Sequence, residues 1–183
     1  WLRMADSIKE HMIYGCSVNG INFEEKTVTT SEGAVYKGDK IITTIPWTCF
    51  THMEHIPTEL KDEIKKLKSS AIETRYVPQN LDTQAQWIYY PEEKLPYHRI
   101  LVRHNFCEGS KGYWTETRQE RVALFDEGDE SYRYLNEYAY PLNTIDKPGI
   151  MDRLLAFAQN NEVYGLGRWG EHNHYNSDVT VER

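Results

Sequence analysis

The chain has 183 residues, of which 39% are hydrophobic and 27% charged, and a formal net charge of −7. That length supports one domain with a real core, or one domain and part of another. The acidic balance argues against general nucleic-acid binding, which wants a basic face, and no apolar run approaches the roughly 20 residues that span a bilayer, so neither nucleic acid nor membrane is an expected partner.

The opening residues, WLRMADSIKE, are not an apolar signal region. A first residue other than Met predicts a piece of a longer protein. Met12 to Val18 is a predicted strand, and Asn19-Gly20 is a two-residue hairpin signal ahead of Ile21 and Phe23. Lys26 to Thr30 and Ala34 to Tyr36 form a second predicted hairpin around Ser31-Glu32-Gly33. After a turn at Gly38-Asp39, Lys40 to Ile45 reads as a buried strand ending at Pro46-Trp47.

Residues 57–73 carry Leu60, Ile64, Leu67 and Ala71 at helical spacing and predict an amphipathic helix. Strands rich in aromatic and β-branched residues are predicted at Gln84–Tyr90, Tyr97–Phe106, Tyr113–Thr117 and Tyr132–Tyr140, with an acidic loop at Asp126–Glu130. A second helix is predicted at 149–160, with Ile150, Leu154, Leu155 and Ala158 inward. Val163, Tyr164 and Leu166 suit a last strand. Asn176, Ser177 and Asp178 are N-cap types, and Val179 opens the first turn of a helix. Elements do not alternate strand and helix, so the fold class is α+β rather than a run of βαβ units. An antiparallel sheet domain is expected over residues 50–145. The β meander of 1–49 and the strand and helix start of 146–183 are expected to form parts of a second domain.

Three widely spaced cysteines, Cys16, Cys49 and Cys107, do not make a disulfide framework and favour a reducing, cytoplasmic location. Cys49, His52 and His55 are metal-ligand types at one helical spacing, but a fourth ligand is not evident and a surface role is the simpler reading. Glu171, His172 and His174 form a second such cluster, for which solvated loop histidines are the simpler reading over a metal or acid–base role. No metal is expected. Alternation along PYHRILVRHNF places Arg99, Leu101 and Arg103 on one strand face, where an arginine either binds phosphate bidentately or makes cross-strand ion pairs. Tyr138 and Tyr140 share a face just before Pro141, positioned to donate to a ligand oxygen or to cap a core.

PYHRILVRHNF, NEYAYPL and GLGRWGEHNHYNSDVTVE occur in this order. Together with DKIITTIPW they resemble segments of the UDP-galactopyranose mutases, within the wider amine-oxidase-like flavoproteins. The resemblance implies that 1–49 and 146–183 are parts of an FAD-binding domain and 50–145 the substrate-binding sheet. It implies that Arg99 and Tyr140 bind the diphosphate of a UDP-sugar. Gly167 and Arg168 would lie against the flavin, and Asp178 with Val179 would open the helix facing its ring. His174 stands where the family has a second diphosphate-binding tyrosine, and Asn176 where it commonly has an acid. Both are implied substrate contacts. The implied reaction interconverts UDP-galactopyranose and UDP-galactofuranose, with N5 of reduced FAD as nucleophile and no protein residue in that role. The Gly-rich strand–turn–helix that cradles the FAD pyrophosphate is not found in the sequence, so this segment is expected to be inactive alone. Two other readings stand beside this one. The first is an amine-oxidase-like FAD oxidoreductase that gives Arg99 and Tyr140 no diphosphate role. The second is a non-catalytic sugar-nucleotide binding module, favoured by His174 and Asn176. The oligomeric state is left open.

Overall fold

The computed structural model describes residues 2–122 and 132–182. The acidic loop expected at Asp126–Glu130 lies outside them. The fold is α+β, with one antiparallel sheet and one mixed sheet. The chain divides into two compact units, residues 1–67 with 143–183, and residues 68–142.

In the first unit, helix α1 (Leu2–Ser7) precedes a four-stranded sheet of β1 (Val18–Asn22), β2 (Thr27–Thr30), β3 (Val35–Lys37) and β5 (His52–Glu54). Their order is β3-β2-β1-β5, with β1 antiparallel to β2 and parallel to β5. The predicted strand from Met12 begins only at Val18: Gly15 sits at φ 68°, and Ile13 and Tyr14 are exposed, so no sheet face receives them. Asn19-Gly20 is not a hairpin turn. It lies inside β1 at a bulge, where a side chain on Gly20 would meet Thr29 Cβ at 3.0 Å. The turn comes at residues 23–26, where Asn22 Oδ1 accepts from Glu25 N at 2.9 Å and Lys26 takes φ 52°.

Strand β4 (Ile41–Thr43) leaves this sheet and pairs in parallel with β11 (Val163–Gly165). Ile42, expected to be buried, is 64% exposed because that two-stranded ribbon covers only one of its faces. The core gathers Phe23, Trp47, Phe50, Met53, helix α2 (Thr58–Ile64) and the inner face of α4 (Lys147–Asn160), with Ile150, Leu154 and Ala158 inward. Pro148 at the start of α4 suits a position whose N–H needs no intrahelical partner.

Helix α2 stops at Ile64, nine residues short of the prediction, and Ser69–Val77 is instead strand β6. Leu60, Ile64 and Leu67 are buried as the pattern required. The continuation through Ala71 is a coincidence of spacing, because SSAIETRYV is taken up by a sheet. Residues 50–67 therefore pack into the first unit, and the division falls at Lys68 and Asn143. Lys68 O accepts from Leu142 N at 2.8 Å, so the second unit's two ends are pinned together.

The second unit is one antiparallel sheet in the order β10-β6-β9-β8-β7. Besides β6 it comprises β7 (Trp87–Tyr89), β8 (Arg99–Leu101), β9 (Tyr113–Arg118) and β10 (Arg133–Pro141). Ile72, Ile100, Val102 and Ala139 are buried, together with Glu73, Thr115, Glu116 and Thr117. Arg103 does not continue the face of Arg99 and Leu101, because Arg103–Asn105 is a 3-10 turn. The Asn105 side chain donates to Thr83 O and Ala85 O, both at 2.8 Å, and holds the chain in that turn.

Candidate functional site

The candidate residues fall into two groups, one in each unit. In the second unit, Arg99 on β8 stands directly opposite Glu116 on β9. Its Nε and Nη2 both donate to Glu116 Oε2, at 2.8 and 2.5 Å. Both side chains are largely shielded, at 16% and 10% exposure. Nη1 lies 3.4 Å from the Tyr89 hydroxyl, and the guanidinium carbon sits 4.9 Å from the Trp87 ring centroid. Tyr140, 41 positions further along the chain, hydrogen-bonds the same guanidinium. Burial works against the charge, but the bonds to Tyr89, Tyr140 and Glu116 outweigh it and raise the Arg99 pKa. His98 Nε2 approaches the same Glu116 oxygen at 3.9 Å. The result is a planar cation held flat by a carboxylate on one edge and aromatic rings beside it, with two tyrosine hydroxyls nearby. Such a group can donate to a pair of phosphate oxygens from its remaining edge.

Tyr138 and Tyr140 alternate with the buried Ala139 and Pro141, although the pairing with β6 shifts register between Asn136 and Tyr140. Tyr138 is partly exposed and its N–H donates to Asn136 Oδ1 at 3.1 Å.

In the first unit, β11 runs into α5 (Gly167–Gly170), which holds G-R-W-G in a single helical turn. A Cβ on Gly165 would stand 2.3 Å from Gly170 O, and one on Gly170 2.5 Å from Thr43 O. Only glycine permits this contact of three backbones. Trp47 Nε1 donates to Gly170 O at 2.7 Å and fixes the turn to the core. Gly167 takes φ 70°. The Arg168 side chain folds back on its own loop: Nε and Nη2 donate to Tyr175 O at 3.0 and 2.5 Å.

A second tether crosses the same loop. Lys147 Nζ, at the start of α4, donates to Asn143 Oδ1 at 2.9 Å and to Asn173 Oδ1. Asn173 Nδ2 donates to the Tyr175 hydroxyl, which donates to Glu171 Oε2 at 2.8 Å. Burial of the Lys147 ammonium lowers its pKa. His174, between Asn173 and Tyr175, and Asn176 after them are exposed. Asn176 O accepts from Thr180 N and Oγ1, both at 3.0 Å, which starts α6 (Ser177–Glu182). Asp178 is exposed and Val179 half-buried in its first turn.

The two ligand-like clusters of the sequence do not assemble. Cys49 ends a 3-10 turn, His52 lies in β5, and His55, at φ 55°, places Nδ1 2.6 Å from Glu24 Oε2. His172 is buried against Trp169, and Glu171 is engaged by Tyr175. Among the described residues no group of three His, Cys, Asp or Glu side chains is arranged to hold a metal ion, and no helix is long and apolar enough to cross a membrane.

Glu116, Trp87, Tyr89, Lys147 and Asn173 were not anticipated. The alternation of Thr115, Glu116 and Thr117 marks Glu116 as facing away from its neighbours, but only the strand register shows that it meets Arg99. Thr43 Oγ1 is a further surprise. It is buried without a hydrogen-bond partner, in the residue whose carbonyl accepts from Leu166 N.

No family model matches the sequence. The structure is similar to a crystal structure of reduced UDP-galactopyranose mutase, with a TM-score of 0.69 and 19% identity over 90% of this chain and 44% of that one. It is also similar to a CLA-producing fatty acid isomerase from P. acnes, with a TM-score of 0.64 and 13% identity over 91% and 45% of the two chains. A redesigned putrescine oxidase gives a TM-score of 0.50 with 11% identity, over 95% of this chain and 39% of that one. The chain thus spans less than half the length of each, and at these identities the likeness is one of fold.

Proposed function

We propose that this chain is part of a flavin-dependent UDP-sugar mutase, of the type that interconverts UDP-galactopyranose and UDP-galactofuranose, and that it acts with reduced FAD. The observation that carries this reading is the convergence of Arg99 and Tyr140, two residues far apart in sequence that meet around one guanidinium. The fold shared with a UDP-galactopyranose mutase supports it.

The first unit suits a flavin in one testable respect. Thr43 Oγ1 is buried without a partner beside the backbone contact of Gly165 and Gly170, and a heteroatom of a bound ring would satisfy it. Gly167 would lie against the ring and Arg168 would shape the loop beneath it. Asp178 and Val179 would begin the helix on the flavin side. When bound, a reduced flavin would supply nucleophilic chemistry toward the sugar. The chain's own residues bind and orient. Arg99 and Tyr140 hold the departing diphosphate by charge and hydrogen bonding, and neither need transfer a proton. His174 and Asn176, both exposed in the first unit, would be substrate contacts.

The complete protein carrying this chain should show flavin absorption in the visible range and turn over UDP-galactofuranose under reducing conditions. Arg99→Ala should weaken UDP binding by about tenfold or more while leaving that spectrum unchanged. A colourless protein, or UDP binding indifferent to Arg99, would sink the proposal. A coloured protein of the second kind would be an oxidoreductase of the same fold acting on another substrate.

A further inference from the structure

Arg99 already has an anion. Glu116 Oε2 accepts from both Nε and Nη2, so the side-on edge of the guanidinium is occupied before any ligand arrives. The pair is cross-strand, shielded, and roofed by Trp87 and Tyr89, whose ring centroids lie 4.9 and 5.7 Å from the guanidinium carbon. Tyr140 bonds the same guanidinium, and the edge that Glu116 leaves for an incoming phosphate is the end-on one, where Nη1 meets Tyr89. There it gains the attraction of Arg99 and suffers the repulsion of a carboxylate bonded to the same plane of atoms. The carboxylate stands farther from such a phosphate than the guanidinium does, so it offsets a substantial part of that attraction without abolishing it.

We infer that Glu116 sets the charge preference of this subsite, holding Arg99 in orientation while moderating its pull on a dianion. The inference rests on the UDP-sugar reading and deepens it. An arginine so paired discriminates less between a nucleoside and its diphosphate than an arginine facing no carboxylate. It still supplies directional N–H donors, so affinity for the sugar nucleotide comes from hydrogen bonding and ring contacts more than from net charge. Glutamine at 116 keeps an acceptor for Nε and Nη2 and removes only the charge, so it separates the two roles of the residue.

The test is calorimetric titration of the 183-residue chain with UDP, inorganic pyrophosphate and uridine. Wild type, Glu116→Gln, Arg99→Ala and the double variant are compared. Glu116→Gln should bind UDP and pyrophosphate about tenfold more tightly than wild type, leave uridine unchanged, and lose the gain when Arg99 is also replaced. Unchanged or weaker anion binding in Glu116→Gln, with Arg99→Ala still weakening it, overturns this inference and leaves the UDP-sugar reading standing. Anion binding indifferent to Arg99 in both backgrounds, or absent even in Glu116→Gln, overturns both. If Glu116→Gln fails to fold, the wild type alone decides. It should bind UDP within about tenfold of uridine, and a much larger preference for UDP refutes the moderation.

Discussion

A methyl group at Gly170 would sit 2.5 Å from Thr43 O and 2.8 Å from the Gly165 carbonyl carbon, and neither is a side chain that can swing aside. Gly170→Ala should therefore cost about 3 kcal/mol in urea unfolding, at the upper end of what overpacking does. Gly15→Ala is the contrasting control: nothing lies within 4 Å of its Cβ position, and its positive φ, which Gly170 lacks, leaves only a backbone preference to lose, about 1 kcal/mol. Equal losses at the two sites would refute the steric account. Lys147 makes a different prediction. Burial lowers its pKa from 10.5, so between the folded value and 10.5 the unfolded chain holds more protons, and stability rises with pH through that window. Lys147→Met should flatten the rise in unfolding experiments taken up to pH 10.5, whatever it does to stability at neutral pH. A slope unchanged by the substitution would show that the ammonium is not stripped of solvent.

Strand β6 is the element on which the second unit's sheet depends, and Glu73 is its weak point. Arg75 Nε donates to Glu73 Oε1 at 2.5 Å and Arg133 Nη2 to Oε2 at 2.9 Å, with the glutamate side chain 8% exposed. Burial pushes its pKa up, but the bonds from Arg133 and Arg75 outweigh that and hold it below the ordinary 4.5. The contribution is thus complete above pH 4.5 and is lost as pH falls through the lower folded value. Glu73→Gln should cost about 3–5 kcal/mol at neutral pH, because it leaves two arginines gathered around a neutral group, and should remove this part of the acid sensitivity. Unfolding followed across the acid range checks both. This strand also shows where sequence patterning misleads. Ser69–Val77 follows a true helix whose apolar spacing runs on to Ala71 by chance, and only the presence of two neighbours for β6 decides the matter. Asn19-Gly20 failed for a related reason. Glycine serves a tight turn and a crowded bulge equally well, and the crowding by Thr29 comes from a partner strand the local sequence does not contain.

At the scale of the whole molecule, residues 68–142 form a sheet with its own buried residues and with both ends joined by the Lys68–Leu142 hydrogen bond. Expressed alone, this segment should give a dispersed amide spectrum typical of β structure. A collapsed spectrum would show that the sheet depends on the remainder of the chain. The sequence made the α+β class and the inner faces of α2 and α4 legible, because burial of Leu60, Ile64, Ile150 and Leu154 follows from spacing alone. It did not reveal the partner of Arg99 or the tether of Lys147 to Asn173. Both depend on register and loop path, which are set by contacts distant in sequence.

That pinned pair of ends has a consequence for how the chain finds its fold. The first unit must join two pieces separated by the whole of the second, for example β4 with β11. If the sheet of 68–142 forms first, the loop to be closed between β4 and β11 shrinks from about 120 residues to about 45, which lowers the closure cost by roughly 1 kcal/mol. The order of assembly then runs from the middle of this chain outward, and residues 143–182 complete a core begun by residues 18–64.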